Sequence, residues 1–461
     1  MSSARTLLAM LALAFAGTHP GVGTGAEPSI SPHKPVSGIF PGAGTGTAIG
    51  NWNQFRFNSG HTGFNPVERT LNVDNVSFLS LDFEAELGDP VFSSSPAVVG
   101  NVVYIASRDG TLWAFPANGC RDSICSKPLW KSTSLGQIVD SPTVANGTVY
   151  IGSQTSPDNN DGKVSAFAAA GCGREVCAPL WQGDAGKEAI LESSPTVADG
   201  LVYIGAFDGR LYAFHANGCG ATECQPAWIG ATGGTVESTP TVANGIVYIG
   251  SDDGFLYAFD ARGCGRQNCP PRWRGELAGP KLVSSVFDST PAVANGVVYI
   301  GSAHSLAAFD AAGCGAGANC KPIWQAVDQL QFFGGSPAVA DGHVYIGLES
   351  SVAVYSADGC GKDLCDALWL LTGPGSQASV ASSPTVANGV VYAGRNSGDV
   401  FAWSADACGS FTCDPLWSGH INDVIVNSSP TVVRGKLYIG SGDNTFPSDR
   451  QGSLYVFGLV E

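Results

Sequence analysis

A chain of 461 residues with 44% hydrophobic and only 13% charged side chains can bury a large core, so a globular protein is expected. The formal net charge of −16 argues against nucleic acid and against an anionic membrane surface as partners, since neither favours that sign. Cationic ligands stay open, as does plain solubility.

Residues 1–26 read as an export signal: Arg5 stands before an apolar run from Leu7 to Phe15, with small residues at candidate cleavage points after Ala16 and Ala26. The run is too short to span a bilayer. No cysteine precedes Cys120, so a lipid anchor on a cysteine near the signal is not expected. Residues 27–50, rich in Pro, Gly, Ser and Thr without apolar periodicity, read as a flexible linker. The remainder, 51–461, reads as one domain, because it is a repeat.

Eight prolines mark the copies: Pro96, Pro142, Pro195, Pro240, Pro291, Pro337, Pro384 and Pro430, spaced 45 to 53 residues apart. Each closes a small-x-Pro signal and opens a short β-prone run. Asn-Gly or Asp-Gly follows in six copies, as at Asn244-Gly245, and favours a tight turn between paired strands; Gly100-Asn101 and Arg434-Gly435 depart from the pattern. A second strand such as Val202–Gly205 and a third such as Leu211–Phe214 come next. The fourth carries a recurring tryptophan: Trp130, Trp181, Trp228, Trp273, Trp324, Trp369 or Trp417. Four short antiparallel strands per copy describe a blade, and eight copies predict an all-β, eight-bladed β-propeller. Only seven such tryptophans occur, because the last copy stops after its third strand, Ser453–Phe457. The segment Phe78–Leu87 is expected to supply the missing outer strand and close the ring.

All 14 cysteines fall in seven pairs between third and fourth strands: Cys120/Cys125, Cys172/Cys177, Cys219/Cys224, Cys264/Cys269, Cys314/Cys320, Cys360/Cys365 and Cys408/Cys413. With an export signal, seven local disulfides, each clamping one hairpin loop, are the simplest reading, and secretion (extracellular or periplasmic) follows from it. Zinc fits poorly, since each pair sits on its own blade.

The order small-x-Pro, Asn/Asp-Gly, Val-Tyr-Ile-Gly, Asp-Gly-x-Leu-Tyr-Ala-Phe-Asp-Ala, Gly and Trp resembles the pyrroloquinoline-quinone (PQQ)-type β-propeller repeat, and the likeness runs from Asn51 to the end. Trp52–Gly63 looks like the segment that often precedes the first blade in that family. The resemblance implies the propeller fold but several activities: quinone-dependent alcohol dehydrogenases, polyvinyl-alcohol dehydrogenase-like proteins, the propeller lipoprotein of outer-membrane assembly, and secreted members without cofactor. The family's quinone enzymes place a glutamate just before a small-small-Pro signal. Glu237-Ser238-Thr239-Pro240 and Glu192-Ser193-Ser194-Pro195 match, and the resemblance makes Glu192 and Glu237 candidate cofactor contacts. The adjacent Cys-Cys platform of those enzymes is absent here.

First strands line a propeller's channel, so the residue three before each proline should recur around one mouth: Ser93, Val139, Glu192, Glu237, Asp288, Gly334, Ala381 and Asn427, with Asp140 one step along. Glu192, Glu237 and Asp288 on successive blades read in three ways. They are a solvated acidic mouth, a Ca²⁺ or cation site, or, under a quinone, a site in which Asp288 is the candidate catalytic base. The function expected is a non-catalytic binding or scaffolding module for an extracellular polymer or protein, weighed against the alternative of a PQQ-dependent alcohol or polyol dehydrogenase. A monomer is expected. Asp158–Gly162, and Asp443, Asn444 and Asp449, are weaker Ca²⁺ candidates than plain turns. The strand tyrosines Tyr203, Tyr248, Tyr299 and Tyr345 are core positions. If the chain has a chemical site, the search begins at Glu237.

Overall fold

A computed structural model describes residues 50–155, 161–277, 289–327, 334–375, 379–380, 382–421, 423–442 and 451–459. The residues read as signal and linker lie outside this set, apart from Gly50. The described chain forms eight sheets, one per repeat, with the strands of each blade in sequence order from inside to outside. Blade four is representative: Thr241–Ala243, Ile246–Ser251, Phe255–Asp260 and Trp273–Glu276 pair antiparallel in turn. The expected turns are present. Asn146, Asp199, Asn244, Asn295, Asp341 and Asn388 all hold positive φ before a positive-φ glycine, and Arg434 does the same in blade eight.

Ring closure follows the sequence expectation. Leu79–Glu86 pairs antiparallel with Ser453–Leu459 and becomes the outer strand of blade eight. Phe83 takes the tryptophan's place there. In blade two, Gly171 (φ +77°) lies so close to Trp130 of blade one that a Cβ would fall 2.6 Å from the ring; Gly119 of blade one holds the same relation to Phe83, at 2.8 Å.

Two circuits of hydrogen bonds hold the blades together at the axis. At seven of the eight seams the residue just before the proline uses its hydroxyl to accept from the backbone N–H of its counterpart in the preceding blade, as Ser141 Oγ does from Ser95 and Ser194 Oγ from Ser141. Seven of these links measure 2.8–3.1 Å, and that from Ser429 N–H to Ser95 Oγ joins the last blade to the first. One layer on, the threonine after the proline donates to the proline carbonyl of the next blade. Thr143, Thr241, Thr385 and Thr431 bond Pro195, Pro291, Pro430 and Pro96 in this way at 2.5–2.6 Å.

A third element, Trp52–Asn65, threads around the inside of the ring and visits every blade in order. Its backbone bonds the valine two past the proline at Val98, Val144, Val242, Val293, Val339 and Val386, while the side chains of Gln54 and Asn65 reach Val197 and Val432. This plug also repairs the threonine circuit. Blades five and six carry Ala292 and Ala338 where a threonine would donate, and Arg56 supplies the missing donors to Pro337 O (2.8 Å) and Pro384 O (2.5 Å). Arg56 is 1% exposed and burial lowers its pKa to about 9, yet it stays cationic at neutral pH. His61, fully buried, meets Thr196 Oγ1 at 2.9 Å; its pKa is lowered to about 3, chiefly by burial, so it is neutral.

All seven expected disulfides form and no cysteine is free. Each clamps one hairpin loop as expected, and the structure adds where that loop is anchored. The first cysteine of each pair is exposed, but the second is buried: Cys125, Cys177, Cys224, Cys269, Cys320, Cys365 and Cys413 all pack into the apolar clusters between blades. The physical reason is that the residue pair ending in that cysteine lies as a short parallel strand on the outer strand of the preceding blade. Ile124–Cys125 pairs with blade eight, Val176–Cys177 with blade one, Glu223–Cys224 with blade two and Asn268–Cys269 with blade three. Asn319–Cys320 and Thr412–Cys413 do the same on blades four and six. In blade six the contact shrinks to one bridge, Leu364 to Gln325 of blade five, with Cys365 N–H on Gln325 O at 2.9 Å. Each disulfide thus ties an exposed loop to a core residue, and each hairpin is a clip across a seam.

Blade eight has no cysteines, so the seam between blades seven and eight has no clip. The N-terminal chain covers it instead: Trp417 Nε1 donates to Leu79 O, Asn388 Nδ2 to Leu71 O, and Glu68 accepts from Gly435 N–H. The strand tyrosines are core, as expected, and bond across seams. Tyr203, Tyr248, Tyr299 and Tyr345 each donate to an alanine carbonyl of the next blade. The equivalent Tyr392 hydroxyl, at the unclipped seam, is buried without a partner.

Replacing Arg56 with alanine strands two buried proline carbonyls and is expected to destabilise the ring by about 2 kcal/mol or more in denaturant unfolding. Restoring the hydroxyls with Ala292→Thr and Ala338→Thr in the Arg56→Ala background should recover much of that loss. If the triple variant is no more stable than Arg56→Ala, the donor-replacement account of Arg56 is wrong.

Candidate functional site

The plug occupies one end of the axis, so the mouth at the other end is where an accessible site can lie. Of the predicted acidic ring, Glu192 and Glu237 are described and both are half-buried; Asp288, the candidate base, lies outside the described residues, as do Ala381, Asp158, Asn159, Asn160, Asp443, Asn444 and Asp449. Asp161, next to that loop, pairs with Lys187 at 3.5 Å. Glu192 sits in left-handed backbone (φ 69°), a conformation shared with Ser93 and Asn427 at the same repeat position. That sharing makes it a property of the ring turn, in which the Glu192 N–H bonds Val139 O at 3.0 Å, and not a strain specific to a reacting group.

Glu237 is the perturbed acid. Burial, and next the negative charge of Asp252, raise its pKa to about 7; Asp252 itself is raised to about 6 by burial and by Asp253. The turn that carries Asp252 is docked on the segment leading to Glu237, with Asp252 N–H on Thr235 O at 3.0 Å and Gly234 N–H on Ser251 Oγ at 3.2 Å. Sequence reasoning found Glu237 and missed Asp252, because Asp252-Asp253-Gly254 reads as an ordinary turn between second and third strands. A half-protonated carboxyl beside a second carboxyl can exchange a proton near neutral pH, or take up a cation in its place. A groove of about 360 Å³, lined by Glu188, Asp208 and Thr232–Thr235, runs along the segment that leads to Glu237, which does not itself line it.

Asp140 departs from the expectation of a mouth residue. At its repeat position six other blades use serine, blade six having Gly335, and the serine Oγ accepts the N–H twelve residues on, as Ser193 does from Gly205 and Ser238 from Gly250. Asp140 Oδ2 makes the same bond to Gly152 at 2.8 Å. It is 1% exposed, with Oδ1 unpartnered, and desolvation holds its pKa well above the usual carboxylate range. Its carboxyl stands in for the repeat's hydroxyl in the blade core and is not part of the mouth.

The donors also bear on the two groups the resemblance implies. No set of three or more His, Cys, Asp or Glu side chains among the described residues is placed to hold a metal ion. A PQQ-type quinone is a tricarboxylate and calls for cations at the mouth. The described ring positions offer two carboxylates and no cation, and Arg395, 2% exposed, is spent on the carbonyls of Ser350, Pro374 and Gly375. The described ring positions themselves do not fit such a quinone; a cation, Arg108, lies over the ring of Phe92, the residue before Ser93.

A second feature lies on the outer wall. In four blades the residue before the tryptophan and a residue just before the second cysteine are apolar and exposed: Ile124 and Leu129 in blade one, Val176 and Leu180 in two, Leu364 and Leu368 in six, Phe411 and Leu416 in seven. The closing segment adds Phe78 (66% exposed) and Leu81 in blade eight. Around the ring these five blades are consecutive, and blade five keeps only Ile323 of the pair. Blades three and four carry Glu223, Ala227, Asn268 and Arg272 at the same positions, so the blade itself does not require apolar residues there.

The family profile described as outer membrane protein assembly factor BamB matches residues 80–218, 160–313 and 271–452. No curated protein matches the chain in sequence. Similar solved structures include BamB from Moraxella catarrhalis (16% identity, TM-score 0.58, 82% of this chain and 97% of that one). Quinohemoprotein alcohol dehydrogenase from Comamonas testosteroni is also similar (12%, 0.66, 89% and 80%), as is the computationally designed Ika8 protein (15%, 0.57, 82% and 100%). At these identities the likeness is one of fold.

Two acids provide tests. A carboxyl whose folded pKa is raised adds stability that is complete below its unfolded pKa and lost as pH rises through the folded one. Glu237→Gln should therefore match the wild type near pH 4 and gain a degree or two in thermal midpoint by about pH 8; a constant difference across that window would mean Glu237 titrates normally. Asp140→Ser should restore the common pattern, with a serine hydroxyl accepting from Gly152 N–H, and be more stable than the wild type at pH 7 in denaturant unfolding. A less stable Asp140→Ser protein at pH 7 would refute the reading of Asp140 as a substitute for the repeat's serine.

Proposed function

We propose, from the premise that the chain belongs to the outer membrane protein assembly factor BamB family of PQQ-like β-propellers, that it is an exported, non-catalytic binding or scaffolding module for a protein partner. The observation that carries this reading is the apolar arc on blades six, seven, eight, one and two, present at positions that blades three and four fill with polar or small residues. The family's description names an assembly factor, which agrees with a protein ligand. Seven disulfides fit an oxidising compartment, in keeping with the signal read in residues 1–26. No helix among the described residues is long and apolar enough to cross a membrane.

The second reading, a PQQ-dependent alcohol or polyol dehydrogenase, is favoured by the fold likeness to a quinohemoprotein alcohol dehydrogenase and by Glu237, whose pKa of about 7 suits proton transfer. On that reading Glu192, Glu237 and Asp288 would hold Ca²⁺ and the quinone. The acidic mouth weighs against it.

The oxidised protein, titrated with PQQ and Ca²⁺, is expected to give no saturable absorbance change and no alcohol-dependent dye reduction; saturable binding with turnover would overturn the module reading. In the native host, a photo-crosslinking amino acid at Leu364, Phe411 or Ile124 should trap a protein adduct of one mass that Glu223 and Asn268 positions do not trap. Equal trapping at all five positions, or none, counts against the arc.

A further inference from the structure

The disulfide hairpin of blade four differs from its six counterparts in charge. It carries Arg262, Arg266, Arg272 and Arg274, four of the 23 basic residues of a chain whose net charge is −16. The same positions in the other hairpins hold mostly Ala, Asn, Asp, Leu or Gln, and no other hairpin is basic at all four. Repetition supplies the control: the fold makes this hairpin seven times without needing the arginines.

Two of the four are already engaged. Arg272 pairs with Asp260 at 3.8 Å, and Arg274 donates to Asn319 Oδ1 at 2.6 Å while lying over the Phe255 ring. Arg262 and Arg266 are exposed and form no ion pair among the described residues. They line a groove of about 500 Å³ at the seam between blades three and four, together with His215, Leu201, Pro226 and Trp228. The groove is built on rigid parts. The Cys264–Cys269 bridge closes the hairpin, Asn268–Cys269 pairs with Ile229-Gly230 of blade three, and Gly263 (φ +74°) lies against the Trp228 ring.

We propose that this groove is a binding site for a short acidic peptide segment, its carboxylates taken by the Arg262 and Arg266 guanidiniums and its chain laid along Pro226, Leu201 and the edge of Trp228. Guanidinium forks match carboxylates in pairs, and a preformed groove lowers the ordering cost of binding. The charge of the whole chain selects a short, locally acidic segment: a long polyanion would meet the −16 background outside the groove. The site rests on the reading of the protein as a binding module and gives that module a second ligand class, on the wall away from the apolar arc.

The test uses the full oxidised protein and fluorescein-labelled octaglutamate, followed by fluorescence anisotropy. Saturable binding that weakens with added salt is expected, with a loss of tenfold or more in Arg262→Ala/Arg266→Ala and none in Arg121→Ala/Lys127→Ala on the blade-one hairpin. Arg262→Glu/Arg266→Glu should lose octaglutamate and gain octalysine. Absence of octaglutamate binding, equal binding by both alanine variants, or tighter binding of heparin than of octaglutamate that the Arg262/Arg266 changes leave intact, overturns the proposal. Cross-linking at the apolar arc without octaglutamate binding removes the groove alone. Quinone turnover removes the module reading whatever the peptide does.

Discussion

The ring depends on the hydroxyl-to-amide circuit at its axis. Eight inner strands converge there, so side chains must be small, and the backbone groups around them are cut off from water. A serine or threonine before each proline is small enough to fit, and at seven seams its oxygen takes the neighbouring blade's N–H. The proline carbonyls raise the same problem one layer on, where proline has no N–H of its own to contribute to a ladder. Threonine solves it in four blades and Arg56 in two more. A buried guanidinium without a carboxylate looks like a functional group until the two alanines opposite it are noticed.

Because every blade solves the same packing problem, departures from the repeat carry the information about function. Asp140 shows the limit of that rule, since an acid in a serine position proves to be a core hydrogen-bonding group. Glu237, the arc of exposed aliphatics and the arginines of blade four pass the test. Neither Glu237 nor Arg262 and Arg266 is needed by the repeat, and the side chains of the arc are replaced by polar or small ones in blades three and four without loss of the blade. The seam between blades seven and eight is a departure of another kind. It lacks a clip, leaves Tyr392 unpartnered and is covered by the N-terminal chain.

Much of this was legible in the sequence. The prolines, Asn-Gly turns and tryptophans gave the blades, the seven cysteine pairs gave the disulfides, and the missing eighth tryptophan pointed to Phe78–Leu87, where Phe83 now fills its place. What stayed hidden was what depends on main-chain partners or on proximity. Trp52–Asn65 has no periodicity because it bonds largely through its backbone, so nothing in it announces a plug. Asp252 acts on Glu237 only because two turns of one blade meet at the mouth. Cysteine spacing shows which sulfurs can meet but not which of the two is buried. The sinking of Cys224, Cys320, Cys365 and Cys413 into seams, like that of their three counterparts, follows from backbone pairing with the preceding blade.

The plug has a consequence for how the molecule can be made. Trp52–Asn65 and the closing strand Leu79–Glu86 leave the ribosome before any blade exists, yet their partners run as far as Val432 and Leu459. Threading a finished ring would require prising it open, so the early segment has to wait inside while successive blades are laid around it. Contacts between residues more than 300 positions apart are slow to form. Until Ser453–Leu459 pairs, the inner edge of Leu79–Glu86 and the growing front of the array both offer unpaired strands to other chains. Fast local closure of the cysteine hairpins would then act as a ratchet, holding each new blade on its predecessor while the final strand is still to come.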